Sequence, residues 1–140
     1  KSYEALEQNS SSSIAENARE QIGLLAYSPM AFGVLSGKYI NGTARDNSRL
    51  KLFPRFSRYS SEQSTEATKR YLKIAEENNM SLAQMSLAFV TSRPFITSNI
   101  IGVTRISQLK ENIASIHVNL TDEVLDAIEK VHNEIPNPAP

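Results

Sequence analysis

The sequence predicts an α/β fold with parallel strands, and three observations carry that expectation. Ile22 to Tyr27 is an apolar run without a helical period, and Ser28-Pro29 follows it. Ser98 to Val103 repeats the theme, with a helical pattern beginning at Ser107. Between the two runs lie stretches with helical spacing of apolar residues. Strands that alternate with helices imply parallel pairing. A two-stranded parallel ribbon leaves bare edges and little surface on which helices can pack. The two strand-helix units therefore read as parts of a larger sheet.

Each element has a local justification. Ser10 to Ser13 is a short serine run, and Ser13-Ile14-Ala15-Glu16 fits a capping box opening a helix through about Gln21. After the first strand, residues 40–60 are rich in Asn, Gly, Arg and Ser and read as a long loop, a type that is usually functional or mobile. Ser61 is placed to cap a helix running to about Asn78, with Tyr71, Ile74 and Ala75 inward. Asn78-Asn79 breaks it. Ser81-Leu82-Ala83-Gln84 is another capping box, starting a helix to about Ser92 in which Leu82, Met85, Ala88 and Phe89 form the core stripe. Pro94 ends that helix. In the helix from Ser107, Leu109, Ile113 and Ile116 are expected to face inward. Thr121 caps a last helix with Val124, Leu125, Ile128 and Val131 in register, and Leu120 and Leu125 are spaced as a hydrophobic staple. Asp122-Glu123 suits the dipole at its start. Residues 135–140 read as an extended tail. The two strand-helix units are the nearest thing to an internal repeat.

Composition narrows the classes. The 140 residues suffice for one domain spanning 1–140, and a 40% hydrophobic share is ordinary for a globular chain. Zero formal net charge supplies no global field toward nucleic acid or a membrane, so neither is expected as a partner. The absence of cysteine excludes disulfide and thiolate chemistry and points to a reducing compartment, with a cytoplasmic location as the expectation. No apolar run approaches the roughly 18 residues of a membrane span. No basic-then-apolar leader opens the chain, and a first residue of Lys fits a processed, trimmed or internal start.

The strand-loop junctions carry the chemistry. Gly33-Val34-Leu35-Ser36-Gly37-Lys38 offers glycines that let backbone amides approach an anion, beside a hydroxyl and a cation. Gly102-Val103-Thr104-Arg105 offers a similar set after the second strand. A cation at the carboxyl end of each parallel strand suggests a shared phosphate site. The first loop is not a Walker motif, because three residues separate its glycines and Tyr39 stands where a magnesium-binding hydroxyl belongs. Alone it would read as a plain strand-to-helix turn. His117 and His132 lack partners at ligand spacing, so they read as structural or solvated and no metal site is expected. Arg45, Arg49, Lys51, Arg55, Phe56, Arg58 and Tyr59 interleave basic and aromatic residues. With zero net charge this reads as a solvated loop rather than a nucleic-acid patch. Glu76-Glu77 reads as a solvated helix end.

Several blocks together carry a family likeness: Ala26-Tyr27-Ser28-Pro29-Met30-Ala31, then Gly33, Leu35-Ser36-Gly37-Lys38-Tyr39, Ser48-Arg49-Leu50, Ile100-Ile101-Gly102, Thr104, and Gln108-Leu109-Lys110-Glu111-Asn112-Ile113. In these the chain resembles the C-terminal part of aldo-keto reductases, NADP-dependent enzymes built on a TIM barrel, and most strongly the branch that includes potassium-channel β subunits. The likeness covers residues 14–134. It implies a partial (β/α)8 barrel in which Ile22 to Tyr27 is strand seven and Ser98 to Val103 strand eight, followed by the C-terminal helices. TIM barrels often bind phosphate after those two strands. The resemblance implies that Tyr27 stacks on the nicotinamide. Ser28, Pro29, Met30, Gly33, Leu35, Ser36 and Lys38 would then line the ribose and pyrophosphate. It further implies that Arg49 covers the cofactor from the 40–60 loop. Gly102, Thr104, Arg105 and Gln108 would hold the adenosine 2′-phosphate, and Glu111 and Asn112 the adenine. The helical spacing of Gln108, Glu111 and Asn112 puts them on one face.

The family's catalytic Asp, Tyr, Lys and His come from the first half of the barrel, and no segment here resembles the motifs that carry them. Gln8-Asn9 is too weak a match to a strand-six pair to change this. Hydride transfer to a carbonyl needs a proton donor, and no catalytic residue is assigned. Three readings stay open. The chain is the NADP(H)-binding end of a carbonyl-reducing aldo-keto reductase, or a non-catalytic NADP(H)-binding accessory or sensor module, or an inactive truncated remnant. Alone it is expected to show no turnover, and a small carbonyl substrate is expected only with the rest of the barrel. Bare sheet edges make self-association a further expectation.

Overall fold

The computed structural model describes residues 23–53 and 59–139. The expectations for the Ser10–Ser13 run, the Ser13 capping box and its helix, Gln8-Asn9, Ile22, Arg55, Phe56, Arg58 and Pro140 lie outside the described residues.

The alternation of strand and helix is as the patterning implies. Strand β1 is Leu24–Tyr27 and strand β2 is Ile96–Ile100. They pair in parallel, with Leu24 opposite Ile96 and Tyr27 opposite Ile100, and the register shifts between Leu24 and Leu25. The second strand thus begins two residues earlier than composition suggests and ends at Ile100, leaving Ile101 to Val103 in the following loop. A parallel strand's limits are set by its partner's register, which composition does not report.

Between the strands lie two tight 3-10 turns merged over Ala31–Ser36, then helices α1 (Arg49–Leu52), α2 (Glu62–Glu77) and α3 (Leu82–Thr91). After β2 come α4 (Ile106–Ala114), a 3-10 turn at Ser115–His117, and α5 (Asp122–Glu134). The three caps stand where the sequence puts them. Ser61 Oγ accepts from the Ser64 amide at 3.0 Å and Thr121 Oγ1 from the Val124 amide at 3.4 Å. At Ser81 both halves of the capping box form. The Gln84 amide donates to Ser81 Oγ at 3.1 Å, and the Ser81 amide to Gln84 Oε1 at 3.3 Å.

The main core is the seam between α2, α3 and α5. Ala75, Leu82, Met85, Ala88, Leu120, Val124 and Ile128 are buried there, with Tyr71, Ile74, Phe89 and Leu125 packed around them. Leu120 and Leu125 share this cluster, as their staple spacing requires. Arg70 on α2 adds a 2.7 Å ion pair to Glu134 on α5. Helix α3 also covers one side of the sheet by packing on β2. Among the described residues the other side is left uncovered: Leu25 is 57% exposed, and Tyr27 and Ile100 are 53% exposed.

Two expectations need correction. Leu109, Ile113 and Ile116 do not face inward, and no residue of α4 is buried. Periodicity identifies residues that share a face, but burial needs a partner for that face. The 40–60 segment is not wholly irregular, since Ser48 precedes the single-turn helix α1 and Tyr59 is buried rather than solvated. The C-terminal tail makes contacts of its own. Ser61 Oγ donates to the Pro138 carbonyl at 2.8 Å, and Ala139 is buried in a second small cluster with Val34 and Tyr59. Among the described residues, no helix is long and apolar enough to cross a membrane, and no group of His, Cys, Asp or Glu is clustered to hold a metal ion.

Candidate cofactor site

The loop after β1 is built from unusual backbone. Ser28, Ala31 and Phe32 have φ of 59°, 45° and 59°, and Gly33 and Gly37 have 89° and 76°. Positive φ in non-glycine residues is costly and clusters at functional turns. The turn is held by its own amides. Ala31 N–H donates to Ser28 O, Gly33 and Leu35 N–H to Met30 O, and Gly37 N–H to Val34 O, all within 3.2 Å. These four amides are therefore engaged within the turn itself. Ser36 Oγ donates to the Gly33 carbonyl at 2.8 Å, leaving its oxygen as an acceptor.

Lys38 folds back over the turn, and a Cβ added at Gly33 would meet Lys38 Nζ at 3.0 Å. The same Nζ lies 5.0 Å from the Tyr39 ring centroid. Tyr39 in turn accepts the Leu50 amide at its hydroxyl, at 3.1 Å, so the first loop fixes the start of α1. Arg49 is the first residue of that helix. Its guanidinium carbon lies 5.2 Å from the Phe32 ring centroid. A Cβ on Gly102 would lie 4.0 Å from Arg49 Nη2. Arg49 thus spans from the loop after β1 to the loop after β2, and the two loops share one face of the molecule. Beneath it Ser48 Oγ is buried and makes no hydrogen bond among the described residues.

The remaining predicted residues separate into groups. Thr104 donates from both its amide and its hydroxyl to Gln108 Oε1, each at 3.2 Å, which ties the loop to the first turn of α4. That helix starts at Ile106, one residue before Ser107, and exposed Arg105 is its N-cap. Glu111 turns toward α3, where Ser81 Oγ donates to its Oε1 at 2.6 Å. Asn112 is partly buried, and its carbonyl accepts from Ser115 Oγ. Met30 supplies the carbonyl that anchors the first turn. Leu35 packs on the main core. Tyr27, Ser28, Pro29 and Leu35 also border a largely apolar cavity of about 160 Å³ beside α2, α3 and α5, to which His132 contributes. His117 is exposed.

Sequence reasoning missed three participants. Phe32 supplies the ring under Arg49, Tyr59 stacks on Phe32 with centroids 5.9 Å apart and planes at 2°, and Ser81 engages Glu111. The first two are aromatic residues near glycine or arginine, which was the available signal. Nothing local links Ser81 to a residue thirty positions away.

Residues 1–133 match the Aldo/keto reductase family model. Protein tas of Escherichia coli K12 is 47% identical over 121 residues, covering 86% of this chain and 35% of that protein. A probable voltage-gated potassium channel subunit beta of Arabidopsis thaliana is 38% identical over 116 residues, covering 79% of this chain and 35% of that protein. The L-glyceraldehyde 3-phosphate reductase of E. coli K12 is 33% identical over 104 residues, covering 71% and 30% respectively. The chain thus spans about a third of the length of the curated relatives it matches. With nearly its whole length inside the family model, the chain belongs to the aldo/keto reductase family.

Proposed function

We propose that this chain forms the NADP(H)-binding end of an aldo-keto reductase barrel, with β1 and β2 as its last two strands. The observation that carries the reading is Arg49, which reaches from Phe32 to the Gly102 loop and so joins the carboxyl ends of both parallel strands. Ligands of parallel-stranded barrels lie at that end. The parallel pairing and the open sheet face with exposed Leu25, Tyr27 and Ile100 suit two strands of a larger sheet.

The residues present fit a dinucleotide. Lys38 offers a point charge for phosphate, and the planar guanidinium of Arg49 suits both phosphate and a base face. The Ser48 hydroxyl beside Arg49, buried and without a hydrogen-bond partner among the described residues, is the kind of group that a bound polar ligand satisfies. Exposed Arg105 at the start of α4 supplies charge for the extra phosphate that distinguishes NADP(H) from NAD(H). When bound, NADPH supplies hydride for carbonyl reduction, the parent reaction suggested by a relative named as a reductase. The residues here bind and orient: Tyr27 presents a ring from the strand end, and the 40–60 segment covers the cofactor through Arg49. No residue here is assigned to the proton transfer. A small carbonyl substrate becomes relevant when the remaining strands are supplied.

The test is a fluorescence titration with NADPH and NADH on the full chain and on Arg49→Ala and Arg105→Ala. Saturable NADPH binding, weakened by both substitutions, with Arg105→Ala eroding the preference over NADH, is expected. A failure of the unsubstituted chain to bind NADPH would overturn the proposal.

A further inference from the structure

The tail, Tyr59, Phe32 and Arg49 form one continuous stack of contacts. Ala139 is 8% exposed and packs with Tyr59, which is 5% exposed, and with Val34. Ser61 holds that tail segment through the Pro138 carbonyl at 2.8 Å. The Tyr59 carbonyl accepts from the buried Ser64 hydroxyl at 3.0 Å, so its backbone is fixed to α2. Its ring lies parallel to Phe32. Phe32 has a left-handed backbone, costly for a side chain of its kind, and it carries the Arg49 guanidinium on its ring. An exposed arginine otherwise samples many rotamers, and each contact in this stack narrows them.

We propose that Tyr59 and Phe32, locked from behind by the C-terminal tail at Pro138-Ala139, are positioning residues for Arg49. The tail thereby tunes affinity for the dinucleotide without touching it. This rests on reading Arg49 as a cofactor contact, but the placement of its guanidinium is a separate property. The physical cause is preorganisation: ordering Arg49 before binding reduces the conformational cost at the moment of association. Loss of the stack costs only what an exposed cation–π contact and that preorganisation are worth, about two- to fivefold in the dissociation constant.

The experiment measures NADPH affinity by fluorescence for the full chain and for Tyr59→Leu, Tyr59→Phe, Ala139→Asp, Arg49→Ala and Arg49→Ala/Tyr59→Leu. In the cofactor-free proteins, the Arg49 Nε–Hε signal is followed by NMR, since a ring beneath the guanidinium shifts it. Tyr59→Leu and Ala139→Asp should weaken NADPH about two- to fivefold. Tyr59→Phe should restore affinity, and the double variant should bind no more weakly than Arg49→Ala alone. Unchanged affinity in Tyr59→Leu, or a loss fully additive with Arg49→Ala, overturns the proposal and leaves the cofactor reading standing. If the unsubstituted chain does not bind NADPH, the cofactor reading fails and the NMR signal decides. Movement in Tyr59→Leu and Ala139→Asp, but not in Tyr59→Phe, supports positioning, and a signal that stays in place overturns it. Should Tyr59→Leu fail to fold, Phe32→Leu removes the middle ring and is read in the same way.

Discussion

Replacing Ser81 by alanine removes two interactions made by one hydroxyl. Its oxygen caps α3 by accepting the Gln84 amide, and its proton goes to Glu111 Oε1 at 2.6 Å. Loss of such a cap costs about 1 kcal/mol. The bond to the carboxylate is charge-assisted and short, but Glu111 is only partly buried, so about 1 kcal/mol is appropriate rather than the upper range. Ser81→Ala should therefore lose about 2 kcal/mol, lowering the thermal midpoint by about 6–10 °C for a domain of this size. In a Glu111→Ala background only the cap remains to be lost, so the same change should cost about 1 kcal/mol. Thermal and guanidinium unfolding of the four proteins, followed by circular dichroism, gives the coupling directly. A coupling indistinguishable from zero would refute the Ser81–Glu111 bond, and with it the account of why Glu111 turns toward α3.

Leu82→Ala empties a site that is 2% exposed in the main core and should cost about 2–5 kcal/mol in the same unfolding assay, with the spread set by how far α2 and α5 collapse. Gly37→Ala tests strain alone. An added Cβ would sit 3.6 Å from Asn41 Nδ2 and Leu72 Cδ1, an ordinary contact, but φ is 76°, so about 1 kcal/mol should be lost. The Glu123 carboxyl is held below its ordinary value, first by its own backbone amide and then by the Thr121 hydroxyl. A lowered folded-state value means that its contribution is present above the unfolded value and lost as pH falls through the folded one. NMR titration should place its midpoint below that of a model glutamate, and Glu123→Gln should make the acid limb of the stability curve shallower.

What could be read from the sequence was what is decided locally. Ser61, Ser81 and Thr121 cap their helices because a cap is a bond between residues three apart. The inner face of α5 was legible because Val124, Ile128 and Val131 are buried as their spacing implies, the first two in the seam with α2 and α3. The family likeness placed Arg49 and Gly102 at one site, and the structure brings those two together. What was hidden depends on partners distant in sequence. The apolar spacing of Leu109, Ile113 and Ile116 gives α4 a face, but among the described residues nothing covers it. The start of β2 at Ile96 is fixed by Leu24 across the sheet. The tail looked extended because three prolines forbid a helix there, yet Pro138 keeps a carbonyl that Ser61 reaches. The glycines of the first loop suggested an amide cradle. They permit a turn that satisfies several of its own amides internally.

The most direct test of the central claim is mapping NADPH onto the full chain by amide chemical-shift perturbation. The account predicts saturable shifts at Ser28 to Lys38, Arg49 and Gly102 to Asn112, with the far end of α2 and the exposed side of α5 unmoved. No saturable shifts, or shifts confined to α5 and the apolar cavity beside it, would contradict a cofactor site at the ends of the two strands.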